Sequence, residues 1–402
     1  MPNRILTTHV GSLPRPPALL EANKQRAAGK IDDQAFQQIL RNSIDEVVKR
    51  QHALGIDILN EGEYAHITSG AVDYGAWWNY SFGRLGGLTM TNEDRWQTAE
   101  IKRSTPGHIQ LTAFRDRRDR VKFNDAYEDP NTGILTGRAK VANPKITGPI
   151  TYIGQKEIRN DIDLLQGALK KVGHQVAFIP ALSPGSAARL KNEHYATEDE
   201  VVFACADAMG QEYKAITDAG FTVQIDDPSL AESWDQINPE PSIKDYQAFI
   251  RVRIDAINHA LEKYAIPRKQ TRLHVCWGSW HGPHTTDVPF ADIIDEVLRA
   301  KVGGWSFEGS SPRHAHEWRV WQDHKLPEGA VIYPGVVSHC VNAIEHPRLI
   351  ADRLVRFAEL VGPEHVVAST DCGLGGRLHP QIAWAKLEAL VEGARLASKE
   401  LF

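Results

Sequence analysis

Short apolar runs alternate with longer amphipathic stretches along most of the chain. Arg4–Val10, Asp57–Asn60, Lys145–Pro149, Val176–Pro180, Thr222–Asp226, Arg272–Cys276, Gly304–Glu308, Val331–Val336 and His365–Thr370 have the length and composition of buried strands. Asp32–Ala53 places Phe36, Ile39, Leu40, Ile44, Val47 and Val48 on a 3.6-residue period, which predicts a helix. Glu200–Ala219, Ile243–Tyr264, Phe290–Ala300, Pro347–Leu360 and Gln381–Leu396 read the same way. Strands alternating with helices predict a parallel sheet. Nine candidate strands compete for the eight slots of a closed barrel, and Val176–Pro180 is assigned to an insertion. The expected fold is α/β: one (β/α)8 TIM barrel over residues 1–402, with insertions at its mouth at about 71–137 and 176–197.

The first insertion is rich in aromatic residues, Trp77, Trp78, Tyr80, Phe82 and Trp96, followed by the run Arg115-Asp-Arg-Arg-Asp-Arg120. A hairpin or lid over the mouth fits this composition, and the Arg/Asp run is expected to be a solvated surface. The second, Phe178–Thr197, contains Ser183-Pro-Gly-Ser186 and reads as a loop at the same mouth.

Composition narrows the function classes. The chain carries 46 Lys and Arg against 51 Asp and Glu, a formal charge of −5, which argues against nucleic acid as a partner. No apolar run approaches the roughly 18 residues of a membrane span, and Met1–His9 has no signal-peptide core, so a cytoplasmic protein is expected. Four cysteines in 402 residues make no disulfide framework. They are packed as small apolar groups, or they bind metal or attack as nucleophiles.

Ionisable side chains accumulate where the predicted strands end: Asn60-Glu61-Gly62-Glu63, Asp226-Asp227, His274-Val-Cys276, Glu308 and Asp371-Cys372. In a parallel barrel those ends share one face, where active sites are built. His274 and Cys276 are two residues apart on a strand, so their side chains point the same way and can share a metal ion. With Cys372 and Glu308 they would complete a mixed N/S/O tetrahedron that suits zinc. A packed His–Cys pair is the competing reading. Such a centre would hold a substrate thiol as thiolate.

The segments Thr8-His-Val-Gly-Ser-Leu-Pro14, Ile58-Leu-Asn-Glu-Gly-Glu63, Thr147-Gly-Pro-Ile-Thr151, Gln224-Ile-Asp-Asp-Pro228, His274-Val-Cys276, Phe307-Glu308, Gly335-Val336 and Asp371-Cys-Gly-Leu374 span almost the whole chain. In that order they resemble the cobalamin-independent methionine synthases, and more closely the branch that includes epoxyalkane:coenzyme M transferases. The resemblance implies a single catalytic barrel, with zinc on His274, Cys276 and Cys372 and Glu308 as fourth ligand. It implies that the Val10-Gly11-Ser12 turn holds a substrate carboxylate and that Glu63 and Asp226 grip its ammonium group. Either acid could instead pair with Arg377. His339 falls one place early for the family's catalytic histidine. Gln155 stands where the family has a folate-stacking tryptophan, and Asp227 replaces the usual glutamate, so the departures gather on the alkyl-donor side. Trp277-Gly-Ser-Trp-His-Gly-Pro-His284 resembles the transferase branch. His281 and His284 are either general acids or loop histidines, and Arg377 with His379 could bind an anionic tail.

The expected function is zinc-dependent alkylation of a small-molecule thiol by an alkyl donor, with no nucleic-acid or membrane partner and oligomeric state open. The alternative is cobalamin-independent methionine synthase, with a folate or corrinoid methyl donor. A metal-free decarboxylase resembling uroporphyrinogen decarboxylase and a non-catalytic zinc scaffold rank below these.

Overall fold

A computed structural model describes residues 3–66, 76–91, 99–134 and 144–402. Among the described residues ten strands are formed, in chain order β1 (Leu6–Thr7), β2 (Leu85–Thr89), β3 (Lys145–Tyr152), β4 (Phe178–Leu182), β5 (Lys191–Asn192), β6 (Thr222–Asp227), β7 (Thr271–Val275), β8 (Gly304–Phe307), β9 (Val331–Val337) and β10 (Val367–Thr370). Seven of them make one curled sheet in the order β1-β10-β9-β8-β7-β6-β4, with every pairing parallel. Helices cross over between successive strands, as parallel pairing requires. Among the described residues no helix is long and apolar enough to cross a membrane.

The predicted strand at 57–60 is reduced to a single parallel bridge, Leu59 to Ala177. The strip still runs between β1 and β4. Asp57 and Ile58 N–H donate to Thr7 O (both 3.1 Å), and Phe178 N–H donates to Leu59 O (2.9 Å). A side chain replaces part of the regular ladder, because Asp57 Oδ2 takes the Thr7 N–H (2.9 Å).

Two strand assignments are corrected. Val176–Pro180 does not lie in an insertion: β4 belongs to the main sheet and all five of its residues are buried. The excursion begins only after Leu182. Lys145–Pro149 is the strand that falls outside. β3 pairs antiparallel with β2 and parallel with β5, in a separate three-stranded sheet inserted between the 57–60 strip and the helix Gln155–Val172. The burial patterns explain the exchange. Both faces of β4 are covered, as in a central parallel strand, whereas β3 mixes buried and exposed positions. Residues 71–75, 92–98 and 135–137 of the expected first insertion, Trp96 among them, lie outside the described residues.

The helices follow the periodicity. Asp33–Leu54 buries Phe36, Leu40, Ile44, Val47 and Val48, each side chain worth roughly 1.5–3 kcal/mol when fully buried. It starts where Asp32 accepts the Ala35 N–H (2.8 Å). Thr197 and Glu200 form a capping box at the start of Glu198–Asp218.

Candidate metal centre and acid pair

β7, β8 and β10 deliver the candidate ligands. His274 lies on β7 with Cys276 just beyond it, Glu308 follows β8, and Asp371-Cys372 follows β10. The ligand atoms of His274, Cys276 and Cys372 all lie within 4.8 Å of one another. The two sulfurs are 3.9 Å apart. His274 is 2% exposed, Nδ1 sits 3.0 Å from Ser306 Oγ, and buried Nε2 has no hydrogen-bond partner among the described residues. Hydrogen bonding to Cys276 holds the Cys372 thiol well below its ordinary value, while the same contact and burial push the Cys276 thiol up.

Glu308 does not fall within that group. It clusters instead with His339 and Asp371, again within 4.8 Å. Burial pushes its carboxyl well above the ordinary range, and Oε1 has no partner. Asp371 is fully engaged in holding the strand ends together. Oδ1 accepts from Gly309 N (2.8 Å) and Ser310 N (2.9 Å), and Oδ2 from Ser310 Oγ (2.8 Å). A Cβ at position 335 would meet Asp371 Oδ1 at 2.1 Å, so only glycine leaves room for this carboxylate. His339 is buried with neither ring nitrogen paired. Burial lowers it to about 3, which keeps the imidazole neutral.

A pair of acids faces this group. Burial pushes Glu63 up to about 8 and Asp226 well above the carboxylate range, and the Glu63 carboxylate raises Asp226 further. Cys372 contributes to both shifts, which places the acids beside the thiols. Gln224 Nε2 donates to Asp226 Oδ1 (2.7 Å) and to Val10 O. Glu63 adopts a left-handed backbone (φ 58°), a strained conformation for a side-chain-bearing residue. Arg15 Nη2 (2.6 Å) and His66 N–H (3.1 Å) donate to its carbonyl and hold it there. Gly11, with φ 136°, lets the chain pass under Glu63, because a Cβ there would come within 2.4 Å of Oε1.

The 10–12 turn is close by, but much of its backbone is committed. Val10 N–H bonds Thr370 Oγ1 (3.2 Å) and Gly11 N–H bonds His9 Nδ1 (3.2 Å). Ser12 O accepts Leu374 and Gly375 N–H (both 2.9 Å), which locks the loops after β1 and β10 together. Arg377 spans to the loop after β7, donating to Ser279 Oγ from Nε (3.0 Å) and Nη2 (2.7 Å). His379 caps the last helix, where its Nδ1 accepts the Gln381 N–H (3.3 Å). Gln155 Nε2 folds back onto Tyr152 O (2.9 Å).

The other histidines divide by their partners. His284 Nδ1 faces Asp287 (3.1 Å) and Nε2 faces Trp280 O (3.0 Å), so both nitrogens serve the loop itself. His314 Nε2 meets the same Asp287 oxygen at 3.0 Å. Asp287 between them is held down at about 2, chiefly by His284. His281 Nε2 lies 3.3 Å from His339 O.

The Arg115–Arg120 run is not a solvated surface. Asp116, Arg117, Asp119 and Arg120 are buried, because each charge finds a partner. Arg117 pairs with Glu232 and lies over the Phe114 and Trp280 rings (4.2 and 4.5 Å). Asp119, 1% exposed, accepts from Thr285 N (2.9 Å), Thr285 Oγ1 (2.9 Å), His284 N (3.2 Å) and Tyr127 OH (2.9 Å). Tyr127 OH in turn accepts from Trp280 Nε1 (2.9 Å). The inserted segment therefore braces the loop that follows Cys276. Sequence reasoning missed this brace, as well as Arg15, His66, Ser306, Asp287 and His314. Ser306 alone carried a signal, since β8 alternation puts it and Glu308 on one face.

Residues 5–177 match the family model described as "Cobalamin-independent synthase, Catalytic domain". A methionine synthase of Thermococcus kodakarensis is 22% identical over 98% of this chain and 94% of its own length. One of Sulfolobus acidocaldarius is 23% identical over 98% and 93%. A solved B12-independent methionine synthase of Shewanella sp. W3-18-1 superposes with a TM-score of 0.69 at 18% identity, covering 99% of both chains. These matches support the cobalamin-independent methionine synthase superfamily. None of them bears on the epoxyalkane:coenzyme M transferase branch.

Two outcomes follow from the geometry. Asp119→Asn replaces one of the two oxygens by an NH2 group, takes the acceptor from two of the four donors and should cost about 1–3 kcal/mol, read by denaturant unfolding, with faster proteolysis of the 277–287 loop. Glu61 is pushed up to about 8 by burial, and its Oε2 is unpaired. A carboxyl raised on folding binds extra protons in the folded state. Its contribution is therefore fully present below pH 4.5 and is lost as pH rises toward 8. Glu61→Gln should raise Tm by a few degrees at pH 8 and leave it nearly unchanged at pH 4, checked by thermal scans across that range.

Proposed function

We propose that this relative of the cobalamin-independent methionine synthases alkylates a small amino-acid thiol, with methyl transfer to homocysteine as the best-supported form. The convergence of two thiols and an unpaired buried imidazole nitrogen with a pair of buried acids carries this reading. The curled sheet is read as a full (β/α)8 barrel. The bonds of the 57–60 strip to β1 and β4 support that closure.

The donor set fits zinc. Tetrahedral coordination with Zn–S bonds of about 2.3 Å puts two sulfurs about 3.8 Å apart, against the 3.9 Å between Cys276 and Cys372. Ser306 faces His274 Nδ1, which fixes the ring and leaves Nε2 for the metal. A zinc ion held by His274, Cys276 and Cys372, with Glu308 adjoining, would supply the means to keep a substrate thiol deprotonated at neutral pH.

The chain's own residues do the rest. Glu63 and Asp226 bind the ammonium group, whose charge offsets the cost of burying two carboxylates side by side. The Ser12 hydroxyl, in the interlocked loops, faces the carboxylate. His339, neutral and unpaired, can move a proton at its ring nitrogens. Asp371 fixes the spacing of Glu308 and Cys372. The loop that the brace holds donates Gly278 N–H to Cys276 Sγ (3.3 Å) and so covers that thiol. A donor other than folate is a second reading, favoured by Gln155 in place of an aromatic partner.

Cys276→Ser and Cys372→Ser should each lose most bound zinc, counted by elemental analysis against about one per chain in the parent, while Cys205→Ser keeps it. Stoichiometric zinc in both variants would sink the site. The reaction is tested by incubating the protein with homocysteine and, in turn, methyl-tetrahydrofolate, a methyl-corrinoid and a small epoxide. Methionine from either methyl donor is the expected product. S-alkylation by the epoxide alone, on a thiol lacking an amino group, would overturn the proposal in favour of the transferase branch.

A further inference from the structure

The two oxygens of Glu63 face different partners. Oε1 lies against the Gly11 turn. Oε2 lies 3.6 Å from His66 Nδ1, just beyond hydrogen-bond reach. His66 is 3% exposed, and Nδ1 has no hydrogen-bond partner among the described residues. Burial lowers it to about 3, so it faces Glu63 as a neutral imidazole able to carry its hydrogen on Nδ1.

The ring is held from outside the main sheet. It packs edge-on against Trp77 (4.8 Å between centroids, 68°) and tilted against Tyr80 (4.0 Å, 39°), both on the inserted helix Ala76–Gly83. Tyr80 OH donates to buried Glu212. Arg84 lies 3.8 Å over the Tyr80 ring and pairs with Glu212 and Asp161. The insertion thus ends in an anchored aromatic clamp on one imidazole, aimed at the back of one carboxylate.

We propose that His66 is a positioning residue: its Nδ1 steadies the outer oxygen of Glu63 so that the inner oxygen meets the ammonium group of the substrate. This rests on the amino-acid-thiol reading above and goes beyond it by giving the inserted helix a share in amine selectivity. Glu63 needs such support because its carboxyl is buried beside Asp226 and must be ionised when the ammonium group docks.

The test is calorimetric binding of homocysteine and of 4-mercaptobutanoate, which is homocysteine without its amino group, to the purified full chain. His66→Phe keeps the ring packing and removes the nitrogen. His66→Asn keeps a polar atom near Nδ1. His66→Leu serves where the Phe variant fails to fold. The parent should bind homocysteine more tightly than the analogue. In His66→Phe the affinity for homocysteine should fall on the order of tenfold or more, as for loss of a hydrogen bond to a charged group. The analogue should change less than about twofold, and His66→Asn should recover most of the loss. Unchanged homocysteine binding in the Phe variant overturns the proposal, as does an equal loss for both thiols, which would mark a packing role. A parent protein that binds neither thiol, or both equally, overturns the functional reading itself. Failure of the reading is seen in the parent, and failure of the His66 proposal in the variants alone.

Discussion

Desolvation of charge at the C-terminal ends of the parallel strands is the constraint on which the rest of this structure depends. Glu61, Glu63, Asp226, Glu308, His274 and His339 are all buried there, and several of their polar atoms have no partner among the described residues. An unpaired buried polar group costs on the order of 1–3 kcal/mol, and a charged one more. The chain lowers that cost by keeping these groups neutral, since burial pushes Glu63 and Glu61 up to about 8, holding their protons, and His339 down to about 3, releasing its proton. The resting site is therefore built mostly from neutral forms of ionisable groups. A cation beside the thiols and an ammonium group beside the acids would each restore charge where the protein has suppressed it.

The surrounding architecture holds this arrangement in place. Asp371 spends both oxygens on the Gly309–Ser310 turn, coupling the ends of β8 and β10. Ser12 O ties the loop after β1 to residues 374 and 375. Arg272, inside the curled sheet, donates to His9 O (3.0 Å) and lies 3.7 Å over the Phe178 ring, so a cation underlies the acids. The inserted segments add two braces. One runs from Asp119 and Tyr127 to the loop after Cys276, and the other from Trp77 and Tyr80 to His66. Ligand groups and acids thus sit on strand ends, while insertions fix the loops and side chains behind them.

Which parts of this were legible in the sequence follows from the range of the interactions. Strands and helices with strong local periodicity were read directly, and two-residue spacing on β7 was enough to bring His274 and Cys276 together. The exchange of Lys145–Pro149 for Val176–Pro180 was not legible, because both are short apolar runs and only the partner strands tell them apart. The Arg115–Arg120 run was misread for the same reason. Its burial depends on Glu232, more than 100 residues away, and on acceptors and donors at 235 and 284–285 that no local pattern announces. Glu308 was placed with the thiols because it too ends a strand on the same face, and the geometry groups it with His339 and Asp371. His66 was invisible because its importance lies in what it stacks on.

The two braces have different physical consequences. The Asp119 brace is a network of complete hydrogen bonds, so its energy is already realised in the resting fold and it acts by limiting motion near the thiols. The His66 contact is incomplete at 3.6 Å, so part of its energy is still to be gained when Glu63 ionises and turns to a cation. Interactions of the first kind preorganise a site at a fixed cost in stability. Interactions of the second kind strengthen only with the correct occupant, which is how an enzyme turns binding energy into discrimination. A strained Glu63 backbone, a clamped neutral imidazole and a raised carboxyl are together consistent with a site that withholds its strongest electrostatic contacts until an ammonium group arrives.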